Sequence, residues 1–324
     1  MNNDPLIEQL TKWHGERKAM ALATVIETWG SSPCPSGSKM VVNDKGAFVG
    51  SVSGGCIETS VVSEAIEVIR DGVFDIIKYG VSDEQGAAAA LACGGTVRVL
   101  VERIDEALFE VLTGPRPVAR IVDLGTGQWT LEGEDTVQDF IHDAIARGRA
   151  MIHESAGSAT FIDPLISRYR LLIIGATAIA QALVPMALVA GFDVSVIDPR
   201  LAFASKQRFP VGELIQEWPD KAIPDLSPDT HTAVVTLTHD SKPDDMALEL
   251  AVRSTAFYVG ALGSRKTHAQ RLQRMKQVGI ADDILATIHA PIGLPIGGRT
   301  PADIAISILA QIIAVKNGID VSSP

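Results

Sequence analysis

The stretch Arg170-Leu171-Leu172-Ile173-Ile174-Gly175-Ala176-Thr177-Ala178-Ile179-Ala180 decides how the second half of the chain folds. Four apolar residues run into a glycine, and an apolar helical pattern follows. This is the order of a buried strand, a tight turn and a helix, as at the start of a dinucleotide-type βαβ unit. Gly175 permits the turn, and the helix start offers free N–H groups to a phosphate. Asp198 closes the next strand, where a carboxylate can accept hydrogen bonds from ribose hydroxyls. Thr177 replaces the second glycine of the usual fingerprint and Ala180 the third. The context predicts a Rossmann-like sheet whose pocket holds a dinucleotide such as NAD, another ligand, or none. The uncharged run from Leu171 to Phe192 has the length of a membrane span. However, Gly175, Thr177, Gln181, Pro185 and Gly191 divide it, and Arg170 and Asp193 bound it, so no membrane segment is expected.

Downstream, strands and helices alternate. Strands are expected at Asp193 to Ile197, Thr232 to Thr238 and Ala256 to Leu262. Helices are expected at Pro243 to Arg253, Ser264 to Val278 and Pro301 to Lys316. Thr300 and Asp303 have the spacing of a capping box, Pro301 suits the first turn, and Gly318 follows the end. Such alternation predicts a doubly wound parallel sheet with helices on both faces.

Ligands of open α/β sheets bind at the carboxyl ends of the strands. Thr238-His239-Asp240 and Gly263-Ser264-Arg265-Lys266 fall there. A cation such as Arg265 at a helix start opposes the dipole, so it points either to an anion or to a solvated basic turn. The loop from His289 to Thr300 contains Pro291, Gly293 and Arg299. It can bring amides and a guanidinium to one place, or serve as a rigid connector.

Upstream, Asp4-Pro5 reads as a helix start, Met20 to Glu27 as a strand, and Lys39 to Val42 with Ala47 to Ser53 as a hairpin. Ser53-Gly54-Gly55-Cys56-Ile57-Glu58 then opens a helix whose apolar face carries Val61, Ala65 and Ile69. A thiol at a helix start is acidified by the dipole. Cys93-Gly94-Gly95 is a second glycine-flanked cysteine, ahead of a strand from Thr96 to Glu102. Each thiol either packs in a core or does chemistry. Cys34 lies between two prolines. Ala87 to Ala90 reads as helical. Arg120 to Asp123 can pair with Gln128 to Leu131, and Asp139 to Ala150 looks helical.

The 324 residues suggest about two domains. We expect an N-terminal α+β domain over 1–105, a connecting region over 106–168 partly packed on it, and a Rossmann-like domain over 169–324. With 46% hydrophobic and 21% charged residues, wholesale disorder is excluded. A net charge of −11 disfavours a nucleic-acid binder. An odd cysteine count without a basic–apolar leader fits a reducing cytoplasm. No metal-ligand spacing, nucleophile elbow or Walker loop is present, so no catalytic or metal residue is assigned.

Gly30-Ser31-Ser32-Pro33, Gly50 to Glu58 and Cys93-Gly94-Gly95 resemble the N-terminal domain of the XdhC/CoxF-type accessory proteins. Thr238-His239-Asp240, Gly260 to Arg265 and His289 to Leu294 resemble their C-terminal Rossmann domain. The resemblance implies maturation of a molybdenum hydroxylase such as xanthine dehydrogenase. A member of this kind binds molybdenum cofactor, as molybdopterin or a nucleotide form, and assists its sulfuration with a cysteine desulfurase. It then hands the cofactor to the apoenzyme, acting more as a chaperone than a catalyst, and is expected to be a homodimer. The cofactor site so implied takes Gly54, Gly55, Cys56, Glu58, Cys93, Gly94 and Gly95 from the first domain. From the second it takes Gly175, Thr177, Asp198, Thr238, His239, Asp240, Gly263, Ser264, Arg265, Pro291, Gly293 and Arg299, and the two sets are expected to converge on one cleft. The chain departs from the family at Thr177, where a glycine is usual, and at Cys34, where an arginine is common.

Overall fold

The computed structural model describes residues 4–30, 34–80, 95–133, 135–155, 157–238 and 240–320. The expectations for Ala87 to Ala90, Cys93, Gly94 and His239 lie outside these residues. The chain divides into two compact units, Met1–Ser167 and Arg168–Pro324.

The first unit opens with α1 (Pro5–Gly15), whose cap Asp4 accepts from the Leu6 amide at 2.9 Å. Then follow β1 (Met20–Trp29), β2 (Lys39–Asn43), β3 (Phe48–Gly50), α2 (Glu58–Asp71), β4 (Asp75–Tyr79) and β5 (Thr96–Ile104). The five strands form an antiparallel sheet in the order β3-β2-β1-β5-β4. α2 covers one face with Val61, Ala65, Val68 and Ile69, against Ala21, Ala23, Val25, Val97 and Val99. Leu22 on the other face meets Leu10 and Trp13 of α1. β1 is therefore covered on both sides, which is why its sequence is continuously apolar rather than alternating.

Residues 106–165 carry α3 (Glu106–Thr113), β6 (Val118–Asp123), β7 (Trp129–Glu132), α4 (Asp139–Arg147), β8 (Met151–Ser155) and β9 (Ser158–Leu165). Their strands form a second antiparallel sheet in the order β7-β6-β9-β8. Arg120 on β6 is fully buried and forks onto Glu102 of β5, Nη1–Oε2 2.9 Å and Nη2–Oε1 2.7 Å. Its Nη2 also lies 3.5 Å from Asp163, which Lys39 of β2 meets at 2.6 Å. Two cations and two carboxylates thus tie the two sheets together. Removing any one of the four would strand a buried opposite charge.

The second unit contains β10 (Arg170–Ile174), α5 (Ala178–Val189), β11 (Asp193–Ile197), β12 (Glu213–Ile215), α6 (Pro219–Leu226), β13 (Thr232–Thr236), α7 (Ser241–Val252), β14 (Tyr258–Ala261), α8 (Arg265–Gln277), α9 (Asp282–Leu285) and α10 (Pro301–Lys316). Its sheet runs β12-β11-β10-β13-β14, every pair parallel. α5 and α10 cover one face through Leu183, Ala187, Ile308 and Ile312. The other face packs Ala222, Ala247, Leu248 and Met275 from α6, α7 and α8. This is the doubly wound Rossmann arrangement expected from the sequence. Its strand order reverses between β10 and β13, which opens a crevice at their carboxyl ends. Among the described residues no helix is long and apolar enough to cross a membrane.

Candidate functional site

Gly175 fixes the start of the crevice. Its φ is +106°, and a Cβ there would lie 2.5 Å from Thr238 Cγ2. Only glycine lets the turn after β10 approach the end of β13 so closely. Thr177 stands as the cap of α5, its Oγ1 accepting from the Ala180 amide at 3.3 Å.

Asp198, at the end of β11, is buried and engaged inside the protein. Its Oδ2 accepts from the Ala176 amide at 2.9 Å and from Arg200 Nη2 at 2.7 Å. Its Oδ1 accepts from Arg200 N at 3.0 Å and Nε at 2.9 Å. Burial alone would raise its pKa, but these bonds, Arg200's first, hold it low. Arg208 closes the same side by donating to Ala176 O and to Gln181 Oε1, each at 2.9 Å. The half of the crevice where a dinucleotide's ribose would lie is therefore satisfied by the chain's own groups.

The other half is open. A cavity of about 620 Å³ lies between the ends of β10, β13 and β14. Four helix starts meet there, those of α5, α7, α8 and α10. Each contributes the positive end of its dipole, so the cavity favours an anion. Thr177, Thr238, Gly263, Ser264 and Arg299 line it, together with Asp244, Arg271 and Arg274.

Arg299 arrives on a loop strapped to the sheet edge. His289 exchanges backbone bonds with Val259 and Ala261 of β14, and the Gly293 amide donates to Gln311 Oε1 at 2.8 Å. Gln311 also accepts from Tyr258 Oη at 2.6 Å, and His289 stacks on the Tyr258 ring at 4.6 Å. Pro291 and Gly293 therefore hold the loop in place, and its last residues form the capping box of Thr300 and Asp303.

Arg271 and Asp244 face each other across α7 and α8, both almost fully buried. Arg271 Nη2 donates to Leu262 O at 3.1 Å, while Nε and Nη1 have no hydrogen-bond partner. The carboxylates of Asp244 and Asp245 each lie 3.6 Å away, beyond hydrogen-bond range. Asp245 is instead engaged by Arg274 at 2.5 Å and 3.2 Å. Burial raises the Asp244 carboxyl to about 7, against the lowering pull of Thr238 and Arg271.

The first unit holds a different kind of loop. Glu58 Oε1 accepts from Ser51 Oγ at 2.6 Å, Val52 N at 3.3 Å and Ser53 N at 3.0 Å. Its Oε2 accepts from Ser53 Oγ at 2.5 Å, Gly55 N at 2.9 Å and Ile57 N at 3.2 Å. Ser51 Oγ takes the Gly54 amide and Ser53 Oγ the Cys56 amide, at 2.9 Å and 3.0 Å. Burial would raise the Glu58 pKa, but these donors hold it at about 2. The positive φ of Gly54 and Gly55, +76° and +116°, lets the chain wrap the carboxylate. Every amide from Val52 to Ile57 points inward, and the Cys56 side chain is left exposed.

Comparison with known proteins places both units. A model described as the XdhC Rossmann domain matches residues 171–312, and one described as the XdhC and CoxI family matches residues 13–80. Each unit thus resembles one of the two XdhC-type domains. It is 28% identical over 303 residues to the molybdenum cofactor insertion chaperone PaoD of Escherichia coli, covering 92% of this chain and 84% of that one. It is 26% identical over 324 residues to a probable xanthine dehydrogenase subunit of Bacillus subtilis, covering 94% and 96%. A Bacillus halodurans structure described as a xanthine dehydrogenase superposes with a TM-score of 0.74 at 26% identity, covering 98% of both chains.

Within this XdhC-type chain, Thr177, Thr238, Gly263, Ser264 and Arg299 come together at one cavity. Asp240 caps α7 instead, accepting from the Lys242 amide. Arg265 is exposed and absent from the lining. The arginines that do line the cavity from α8 are Arg271 and Arg274, which sequence reasoning missed. Their spacing puts them on one helix face, opposite Asp244 and Asp245 of α7, and that complementary pair was the available signal. In the first unit Glu58 acts as the organiser of its own loop, and Gly54 and Gly55 have their amides engaged by Ser51 and Glu58. Gly95 is buried ahead of β5.

Proposed function

We propose that this chain is an accessory protein for the maturation of a molybdenum hydroxylase of the xanthine dehydrogenase type. In this reading it carries molybdenum cofactor as cargo, assists its sulfuration with a cysteine desulfurase, and delivers it to the apoenzyme. The observation that carries the reading is the second unit's cavity: four helix starts and a buried arginine with two unengaged nitrogens suit the cofactor's phosphate or nucleotide tail. The exposed Cys56 thiol offers a soft ligand to a thiophilic metal centre. Cys93 is proposed for the same duty on sequence grounds. A reducing cytoplasm and a homodimer complete the proposal.

NAD is the rival ligand for a Rossmann unit. The engagement of Asp198 by Arg200 and Ala176 argues for a carrier over an NAD-dependent oxidoreductase. The test is capture of molybdopterin under anaerobic conditions, read by mass spectrometry of the released small molecules, beside titration with NAD and NADH. Near-stoichiometric capture, weakened at least tenfold in R271Q, is expected. Tight NADH binding with hydride transfer, or no retained cofactor in the wild type, would overturn the reading.

A further inference from the structure

Thr238 Oγ1 lies 2.9 Å from Asp240 O and 2.8 Å from Asp244 Oδ1, and it accepts from the Asp240 amide at 3.1 Å. A hydroxyl has one hydrogen to donate. It serves either the Asp240 carbonyl or Asp244, not both. If it goes to the carbonyl, the short contact with Asp244 requires a proton on the carboxyl, which then donates to Thr238. The neutral acid satisfies every partner; the carboxylate leaves one oxygen pair opposed. On its other side Asp244 has only the long 3.6 Å contact to Arg271 Nη2, too far to secure its charge.

Arg271 is the complementary half. It is 2% exposed, lines the cavity, and keeps Nε and Nη1 without an acceptor. Leaving such donors unanswered in a buried place is costly, and an oxyanion is the group that answers them. A dianion arriving there meets Asp244 on the same wall. Two negative groups at close range cannot both stay charged without loss, so the weaker acid takes a proton.

We propose that the cavity takes a phosphomonoester onto Arg271, and that Asp244 takes up one proton as the phosphate arrives. The inference rests on the cavity being the ligand site proposed above, but not on the ligand being molybdenum cofactor. It makes loading and release sensitive to pH: a mildly acidic setting favours the loaded form, and an alkaline one favours release. The charged groups that line the cavity with Asp244 are Arg271 and Arg274 on α8 and Arg299 on the α10 loop; Asp245 is its neighbour in sequence, and His268 on α8 lies by Arg271. The arginines hold their charge throughout. Burial, and then the charge of Arg271, depresses the His268 pKa below its ordinary value.

The probe is inorganic sulfate, a dianion that does not itself titrate near neutrality, with inorganic phosphate as the second arm. Equilibrium dialysis with the full chain at intervals between pH 6 and pH 9 reads the linkage. Above the point where Asp244 ionises, about 7, wild-type affinity for sulfate should fall roughly tenfold per pH unit. D244N should bind with no such slope, and R271Q should lose binding at every pH. R271K, which keeps the charge without the fork, covers the case in which R271Q fails to fold; it should bind at least tenfold more weakly than wild type. A flat wild-type profile, a slope surviving in D244N, or sulfate binding unchanged in R271Q or R271K would each overturn the proposal. Cofactor capture with a flat sulfate profile would leave the carrier reading standing and remove this one. A sloped profile without cofactor capture would do the reverse.

Discussion

Glu58 and Asp244 are both buried carboxyls in the first turns of helices, one in each unit, and they are held in opposite states. Glu58 receives donors from two serine hydroxyls and four amides and titrates at about 2. Asp244 is buried with only the hydroxyl and backbone N–H of Thr238 and a distant guanidinium, and titrates at about 7. A helix dipole is common to both and cannot explain the difference; the deeper burial of Asp244, together with its fewer committed donors, does. The lesson is that the Glu58 loop is complete in itself and displays a thiol. The Asp244 cavity has unmet donors beside a weak acid, and so is built to be completed by something else.

The largest effect on this contrast should come from E58Q. A lowered carboxyl pKa contributes stability that is present above the unfolded value, 4.5, and lost as pH falls towards about 2. The shift corresponds to about 3 kcal/mol at pH 7, and a glutamine N–H₂ facing the loop's own amides adds roughly 1 kcal/mol. Denaturant unfolding of E58Q should therefore show a loss on the order of 4 kcal/mol at pH 7, shrinking below pH 4. A variant within about 1 kcal/mol of wild type at pH 7 would mean that the carboxylate does not organise this loop.

The second effect has the opposite sign. A raised carboxyl pKa means that the native protein holds its proton more tightly than the unfolded chain. Its contribution is full below 3.8 and declines as pH rises through about 7. D244N removes that decline, because an amide can donate to Thr238 at any pH. Between pH 4 and pH 8 the wild type should lose on the order of 3 kcal/mol relative to D244N. Parallel stability curves for the two proteins would erase the contrast with Glu58.

What the sequence made legible follows the same line. Leu171 to Ala180 announces a strand, turn and helix because each signal is local, and Thr300 with Asp303 announces a cap for the same reason. The second sheet of the first unit was only partly legible. Its edge strand β8 is mostly exposed, and β6 buries Arg120 at a position that reads as surface. Arg120 belongs there only because Glu102 and Asp163, distant in sequence, surround it. Arg271 was hidden for a related reason: Arg265 stands at the helix start where an anion is expected, yet the fold turns Arg271 towards the cavity. The family resemblance implies the Gly54-Gly55-Cys56 turn as part of the cofactor site. Its amides are claimed by Glu58, Ser51 and Ser53, so only the thiol faces outward.

The smallest stability effect, and the sharpest separation of the two regions, should come from C56A. The Cys56 amide is bound to Ser53 Oγ, and the exposed side chain is not what holds the loop. Replacing an exposed side chain outside a cap or core changes stability by no more than about 0.5 kcal/mol. C56A should thus melt with the wild type, bind sulfate in the second unit with the same pH slope, and still capture less molybdopterin. The three readings separate the roles of thiol and cavity. A lowered melting point would make Cys56 a structural residue. A changed sulfate profile would mean that the anion site is not the second unit's own. Unchanged capture would remove the thiol from the cofactor's path and leave the cavity around Arg271 to hold the cargo by itself.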